Sequence, residues 1–538
     1  MHTKLRTRIK KREMDLPLII LMLSAAMQLL LWARLNLRHQ YIFDYDAAKL
    51  FYHTLCMWRE KTLLIPDWLY MTTGEWDCAS LPAILFYGLT GDIRLAFGLA
   101  NTVNTLLFTL VISRLFRAVP VQHGRQKGML LGICLVLMPY YWDMLDYSNM
   151  LFYGGAQYVY KVLLPVWLVS LYVGMPRRKL PAALYTAAFL LLVLATASSS
   201  GLYVMMCGLF PILCCRLVRA MGIEKGQLSR RDVFISVSTV VVFMAGYLFQ
   251  KAAHLDTRID AMELIPIHAL LPKIAQVVSD FFSVTMILHY EEYVPIFSFT
   301  AILCYCKIAV VVVVCLMGMR ELPHCFMLKT AFSEPDWIRD DERFAKAALG
   351  SVFVWNLLAL VLIESQPRYH LIGYIPLMLL ACMVLAQKLE ACPLNRLKKL
   401  LWLAVSAMVI LFAAMLFFNA RTSVNSSKEQ RSLLVIEEAE RQDVQTVVVL
   451  DDNWLTEFTR PLDPDRTYIT YSSSDQQLTN SDVPSSFNDM SQLSGRHMLV
   501  TQDACPIGQL PEEMQARYTL VGEDSSFQYH IASGQTKP

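Results

Sequence analysis

Charge is what this 538-residue chain has least of: 17% of its residues are Asp, Glu, Lys or Arg, against 55% hydrophobic, and the mean hydropathy is +0.40. Soluble domains carry about 25% charged residues. The deficit excludes an ordinary soluble protein and leaves a polytopic membrane chain with a wetter appendage. The formal net charge is only +3, and Lys and Arg fall in short clusters with no continuous basic face. Nucleic-acid binding therefore lacks its electrostatic footprint. Thirteen cysteines are present, but there is no CxxC pair and no zinc spacing, and most lie in apolar runs where Cys behaves as a small hydrophobe. A cysteine-held metal is excluded. A disulfide stays open only between Cys56 and Cys78, which share one loop. No repeat of solenoid period is visible.

What is present sets a topology. The apolar run Leu16 to Trp32 follows Lys4, Arg6, Arg8, Lys10, Lys11 and Arg12, which places the N-terminus in the cytoplasm. No small-residue cleavage site precedes Arg34 and Arg38, so the run reads as an anchor and not as a cleaved signal. Residues 38–80 then form a first outer loop, with an amphipathic helix over Ala47 to Trp58 and breaks at Pro66, Thr72, Thr73 and Gly74. Leu81 to Leu89 is too short to span and is expected along the surface. Further runs are Leu95–Leu115, Met129–Tyr141, Val162–Val173, Leu180–Ala197, Leu202–Leu217, Val233–Leu248, Val294–Met317, Ala347–Ile363, Leu371–Ala386 and Leu400–Phe418. With the first run they make about eleven spans. Every second loop is basic, with Arg125 and Lys127, then Arg177 to Lys179, Arg216 to Arg231, Arg320 to Lys346 and Lys388 to Lys399, as the positive-inside rule requires. Ile265 to Tyr290 would break that parity, and its Pro266, Pro272, Lys273 and Asp280 mark it as an interfacial segment on the outer face.

The expected fold is mainly α: a membrane helical bundle over residues 1–419 and a small soluble, extracytoplasmic α/β domain over 420–538. In the latter, SSKEQRSLLVIEEAERQ reads as an exposed helix, and TVVVLDD, TYITYSS, HMLVTQD and YTLVGEDSSFQYHIAS read as strands. It has no glycine-rich phosphate loop. Asp451 and Asp452 end a strand, where α/β sheets bind ligands, although a solvated strand end is the commoner explanation.

The same topology gathers polar residues at the outer ends of spans: Asp44 and Asp46, Glu75 and Asp77, Asp143 and Asp146, and Arg368 with Tyr369. Each has an ordinary reading, Asp46 as a helix cap, Asp143 and Asp146 as loop residues, Arg368 as a snorkelling cation. Their convergence from four loops on one leaflet points instead to one cavity. A carboxylate there can act as general base toward a hydroxyl, and a guanidinium can hold a leaving phosphate. In NMLFYGGAQYVYK, Tyr153, Tyr158 and Tyr160 offer aromatic surface for a sugar or isoprenoid head, or serve as interfacial anchors, and Gly154 and Gly155 permit close backbone approach.

The acidic motif after the first span, the loop WREKTLLIPDWLY, the stretch LPAILFYGLTGDIRLAFGLAN and the late QPRYHLIGYIPLMLL resemble the membrane glycosyltransferases of the GT-C superfamily. The nearest branch in pattern is that of the bacterial aminoarabinose and protein mannosyltransferases. The resemblance covers roughly the first 120 residues and the segment near Arg368. It implies a plasma-membrane enzyme of the cell envelope that moves a sugar from a polyprenyl-phosphate donor to a lipid, glycan or protein acceptor, with a catalytic aspartate in the first outer loop. Asp44-Tyr45-Asp46 stands where relatives have adjacent Asp-Glu, so either Asp44 or Asp46 is the base. TTGEWDCASLP likewise stands where relatives have a proline-rich motif. The expected substrate-binding residues are Glu75, Asp77, Asp143, Asp146, Tyr158, Arg368 and Tyr369. No cofactor is fixed by the sequence, and a divalent metal stays open because Asp44, Asp46, Glu75 and Asp77 offer hard oxygen ligands. Two other classes compete: a transporter or flippase, whose pathway would use the midspan Asn101 and Asn104, and a non-catalytic membrane scaffold.

Overall fold

Apolar segments that must satisfy their backbone groups without water have helix as their main open solution, and the described residues of each expected run are largely helical. The structure is a computed structural model and describes residues 15–38, 45–65, 68, 70, 74–120, 122–138, 146–222, 229–253, 264–284, 295–326, 337–363, 366–419, 426–475, 477–479 and 495–532. The membrane part is built from α1 Leu16–Leu37, α2 Tyr45–Glu60, α3 Ser80–Thr90, α4 Ile93–Leu115, α5 Gln122–Val136, α6 Asp146–Leu151, α7 Val159–Val173 and α8 Lys179–Ser200. A π turn at Met205–Leu209 leads into α9 Phe210–Gly222, followed by α10 Arg230–Ala252, α11 Leu270–Val284, α12 Phe299–Phe326, α13 Trp337–Leu362, α14 Leu371–Glu390 and α15 Asn395–Asn419. Among the described residues seven of these helices, α1, α4, α8, α10, α13, α14 and α15, are long and apolar enough to cross a membrane.

The expected amphipathic helix is α2, and the short surface stretch is α3. The interfacial segment is α11, which shows Leu271, Ile274, Val278 and Phe282 outward while Val277 packs against Leu360 and Ile363. One expectation is corrected. The basic stretch from Arg320 to Lys346 is largely helical, because α12 runs on to Phe326 and α13 starts at Trp337. Its charges are neutralised within α13 and across helices: Lys346 pairs with Glu342 one turn away and with Glu321 on α12, and Arg219 on α9 with Asp341.

Helix α14 runs through the middle of the bundle, buried from Leu371 to Val384, and packs on α5, α7, α12 and α13. Helices α8 and α10 approach so closely at Gly246 that a Cβ there would lie 2.7 Å from the Leu194 carbonyl oxygen and 2.8 Å from the Ala197 Cβ. Only glycine allows this contact.

After α15 the chain forms α16 Ser426–Arg441, β1 Thr446–Leu450, α17 Asn453–Thr459, β2 Thr467–Ser472, β3 Gln477–Thr479, β4 Met498–Thr501, β5 Tyr518–Glu523 and β6 Gln528–Ala532. The sheet order is β3-β2-β1-β4-β6-β5, with β2, β1 and β4 parallel and the outer pairings antiparallel. Its helix and five of its strands follow the sequence pattern; β3 and α17 were not expected. α17 packs on α2, so the sheet domain sits at the end of the bundle where α1 hands over to α2.

Candidate functional site

Four segments meet at that same end of the bundle, with the end of α8 bracing the second of them: the start of α2, the loop before α3, the residues entering α7 and the 3-10 turn Pro367–His370 that opens α14. They line one cavity with Tyr45, Asp46, Lys49, Leu50, Glu75, Asp77, Cys78, Gln157, Tyr158, Lys161, Gln366, Arg368 and Tyr369. Of the expected site residues, Asp46, Glu75, Asp77, Tyr158, Arg368 and Tyr369 are therefore brought together. Asp44 and Asp143 lie outside the described residues. Asp146 heads α6, and its side chain lies outside the described set.

Three carboxylates and three cations line the wall, and each acid has its own partner. Lys49 Nζ donates to Glu75 Oε1 at 2.8 Å, Lys161 Nζ lies 3.4 Å from Asp77 Oδ2, and Arg368 Nη1 donates to Asp46 Oδ2 at 3.0 Å. Exposure separates them. The Lys49 and Glu75 side chains are 5% and 12% exposed, those of Lys161 and Asp77 8% and 1%, but those of Arg368 and Asp46 31% and 43%. Buried pairs hold a wall in place. The open pair is the one a substrate can reach.

The wall is built from local chemistry. At the end of α8, Ser199 and Ser200 donate their hydroxyls to the two oxygens of Asp77 at 2.7 and 2.6 Å, while the Ser198 hydroxyl accepts from the Trp76 indole at 3.2 Å. Gly74 N donates to the Ser199 carbonyl at 2.9 Å. This serine run ties down the GEWDC loop, in which Glu75 takes a left-handed φ of 64°. Such a conformation costs about 1–3 kcal/mol for a non-glycine residue, and it persists only where its surroundings enforce it. With both oxygens of Asp77 engaged, that residue is a structural anion and not a free base.

A second loop delivers Gln157, Tyr158 and Lys161. Asn101 on α4 donates to the Gly154 carbonyl at 2.9 Å, Ala79 N donates to the Gly155 carbonyl at 3.2 Å, and one turn along α4 Asn104 accepts from the Tyr160 hydroxyl at 3.0 Å. Gly154 has φ 53° and Ala156 has φ 44°, the tight reversal that lets Gln157 face Arg368 at 3.4 Å. Tyr158 and Tyr203 both pack near Tyr369, with ring centroids 6.1 and 5.5 Å away, and make an aromatic flank.

Cys56 and Cys78 are both free thiols, so the disulfide left open by the sequence is not formed. Cys78 is instead held within hydrogen-bonding distance of the Glu75 carbonyl and the Ser80 hydroxyl, 3.2 Å each. Burial pushes each thiol up to about 12, which leaves them unreactive near neutral pH. Among the described residues no three His, Cys, Asp or Glu side chains group as a metal site. Lys49, Lys161, Gln157 and the serine run were missed in the sequence. The available signal was a lysine inside an apolar helix, as in AAKLFYH and YVYKVLLP, because an unpaired ammonium there is costly.

No protein-family model matches the sequence, and no curated protein sequence does. Solved structures share the architecture. The chain superimposes on the crystal structure of ArnT from Cupriavidus metallidurans in the apo state with a TM-score of 0.53 and 11% identity, covering 95% of this chain and 98% of that one. The structure of the same ArnT bound to undecaprenyl phosphate gives a TM-score of 0.51 and 10% identity, covering 96% and 98%. At these identities the likeness concerns the fold, and it extends over nearly the whole of both chains: this protein has the fold of ArnT.

Proposed function

We propose that the chain is a membrane glycosyltransferase that takes a sugar from a polyprenyl-phosphate donor, with the carboxylate of the DYD motif as general base and Arg368 holding the phosphate. The observation that carries this reading is the half-exposed Asp46–Arg368 pair at the mouth of an otherwise buried, charge-balanced cavity. A guanidinium there offers two parallel donors to a phosphate, and it can exchange its carboxylate partner for the incoming anion. Freed of Arg368, the Asp46 carboxylate is open to accept a hydrogen bond, and then the proton, from the attacking hydroxyl, as general-base catalysis needs. The sugar carbon gains a bond to the acceptor oxygen as its bond to phosphate breaks, the proton passes to the carboxylate and polyprenyl phosphate leaves. Undecaprenyl phosphate bound to ArnT, a protein of the same fold, supports the choice of carrier. Asp44 remains the neighbouring acid for the same role.

The transport reading loses its pathway residues, since Asn101 and Asn104 are buried and hold the site loop. The test is undecaprenyl phosphate binding and donor turnover by the full chain in nanodiscs. Arg368→Gln should weaken lipid-phosphate binding, whereas Asp46→Asn should leave binding intact and stop release of polyprenyl phosphate. Wild-type binding and turnover in both variants would remove the assignment.

A further inference from the structure

At the end of the bundle opposite the cavity, basic side chains are held by acids over much of the surface. Lys127 pairs with Asp15 and Glu390, Arg216 with Asp232, and Arg219 with Asp341. One group differs. Arg114 stands in the last turn of α4, Arg117 just beyond it, Arg125 in the first turn of α5 and Arg177 in the loop from α7 to α8. Among the described residues none of these four has an acidic partner. The charges that act on Arg117 are those of Arg114, Arg177 and Arg125, all of its own sign.

The backbone holds the group together. A Cβ at Gly174 would strike the Arg114 carbonyl oxygen, so the loop that carries Arg177 is seated on the end of α4. The charges of Arg114 and Arg117 also act on Tyr185, which places the second turn of α8 beside them. Two ordinary explanations fall short. The positive-inside bias is met by basic residues anywhere in short loops, and it does not require them to converge from three segments without acids. The carboxyl ends of α4 and α7 attract cations, but each supplies only about half a negative charge. Roughly one unit of negative charge faces four guanidiniums, and the repulsion within the group is left uncompensated.

We propose that this group is a binding site for the headgroup of an anionic phospholipid in the leaflet opposite the cavity. A phosphodiester supplies the missing negative charge, and guanidinium recognises its oxygens through paired N–H donors. What lies beside the arginines favours a lipid over a soluble phosphate. Leu106 and Leu110 on α4 and Leu180 and Leu184 on α8 are exposed, an apolar surface that acyl chains cover while the headgroup stays at the membrane edge.

The experiment uses the full chain in detergent micelles, titrated with dioleoylphosphatidylglycerol or dioleoylphosphatidylcholine, with bound lipid counted by native mass spectrometry. Wild type should bind phosphatidylglycerol at least tenfold more tightly than phosphatidylcholine. Arg117→Gln combined with Arg177→Gln should lower that preference about tenfold, whereas Arg117→Lys with Arg177→Lys, which keeps both charges, should hold most of it. Arg320→Gln with Arg396→Gln removes two basic residues from the same end of the bundle, late in α12 and early in α15, and should leave the preference unchanged. Arg368→Gln, which alters the cavity, should leave it unchanged as well, and inorganic phosphate should not displace the lipid. No preference for phosphatidylglycerol in wild type overturns the proposal whatever the variants do. An equal loss in the Arg320 and Arg396 pair, displacement by inorganic phosphate, or loss of the preference in Arg368→Gln overturns it too.

Discussion

Consider Lys161→Met, which keeps the apolar stem of the side chain and deletes the ammonium beside Asp77. Asp77 is 1% exposed and holds two serine hydroxyls at 2.7 and 2.6 Å in addition to Lys161 at 3.4 Å. Removing one member of a buried pair costs about 3–5 kcal/mol, because the remaining charge stays desolvated. The two serines keep part of the solvation of Asp77, so the low end applies and the loss is about 3 kcal/mol. Asp77→Asn strands the opposite charge. Lys161 then keeps the Gln157 carbonyl at 3.2 Å and the face of Tyr158 at 5.0 Å, and the loss is of similar size. The double variant leaves no charge behind and should be about 2 kcal/mol more stable than Lys161→Met alone. The assay is reversible unfolding in mixed micelles for the four members of the cycle. Donor turnover, measured beside it, should stay low in all three variants, since Lys161 lines the cavity. A double variant as unstable as the sum of the two singles would refute the pairing, and wild-type turnover in the double variant would refute a role for Lys161 at the site.

Three further outcomes follow from the geometry. Asn101→Leu removes the donor to the Gly154 carbonyl and should lower kcat for donor turnover at least tenfold, about 1.4 kcal/mol, with thermal stability reduced only modestly; unchanged kcat would show that the loop holds itself. His53 is fully buried against Trp68 and Tyr70, and burial, then Lys49, lowers its pKa to about 3. Its neutral form is the folded one, so its contribution is complete above about pH 6.5 and is lost progressively as pH falls toward 3, by about 2 kcal/mol at pH 5. Unfolding of wild type and His53→Phe at pH 5 and 7.5 checks this, and an equal acid loss in the variant contradicts it. Gly246→Leu should separate α8 from α10, displace the serine run that ends α8, and depress both melting temperature and activity; a well-folded, active variant would show that the bundle yields there.

The membrane part was legible because helix in lipid leaves little choice: each apolar run became a helix, and only their ends moved. The ends moved where charge was paired within the protein, as at Arg320 to Lys346, where local polarity suggests a loop and Glu321, Glu342 and Lys346 make a helix tolerable. At the site, residue type and span parity were enough to bring Asp46, Glu75, Asp77, Tyr158, Arg368 and Tyr369 to one place. What they do there was not legible. Asp77 and Arg368 look alike as isolated charges near a span, but one is locked by two serines from α8 and the other is open to a ligand. That difference arises from contacts 122, 123 and 322 residues apart in sequence. Lys49 and Lys161 were hidden by apolar neighbours.

The most direct measurement is single-turnover release of polyprenyl phosphate from a polyprenyl-phosphate hexose by wild type, Asp46→Asn and Asp44→Asn, each with undecaprenyl phosphate affinity measured in parallel. The account predicts that Asp46→Asn slows release by about 10²–10⁴ with affinity unchanged. Release at the wild-type rate by Asp46→Asn would contradict it.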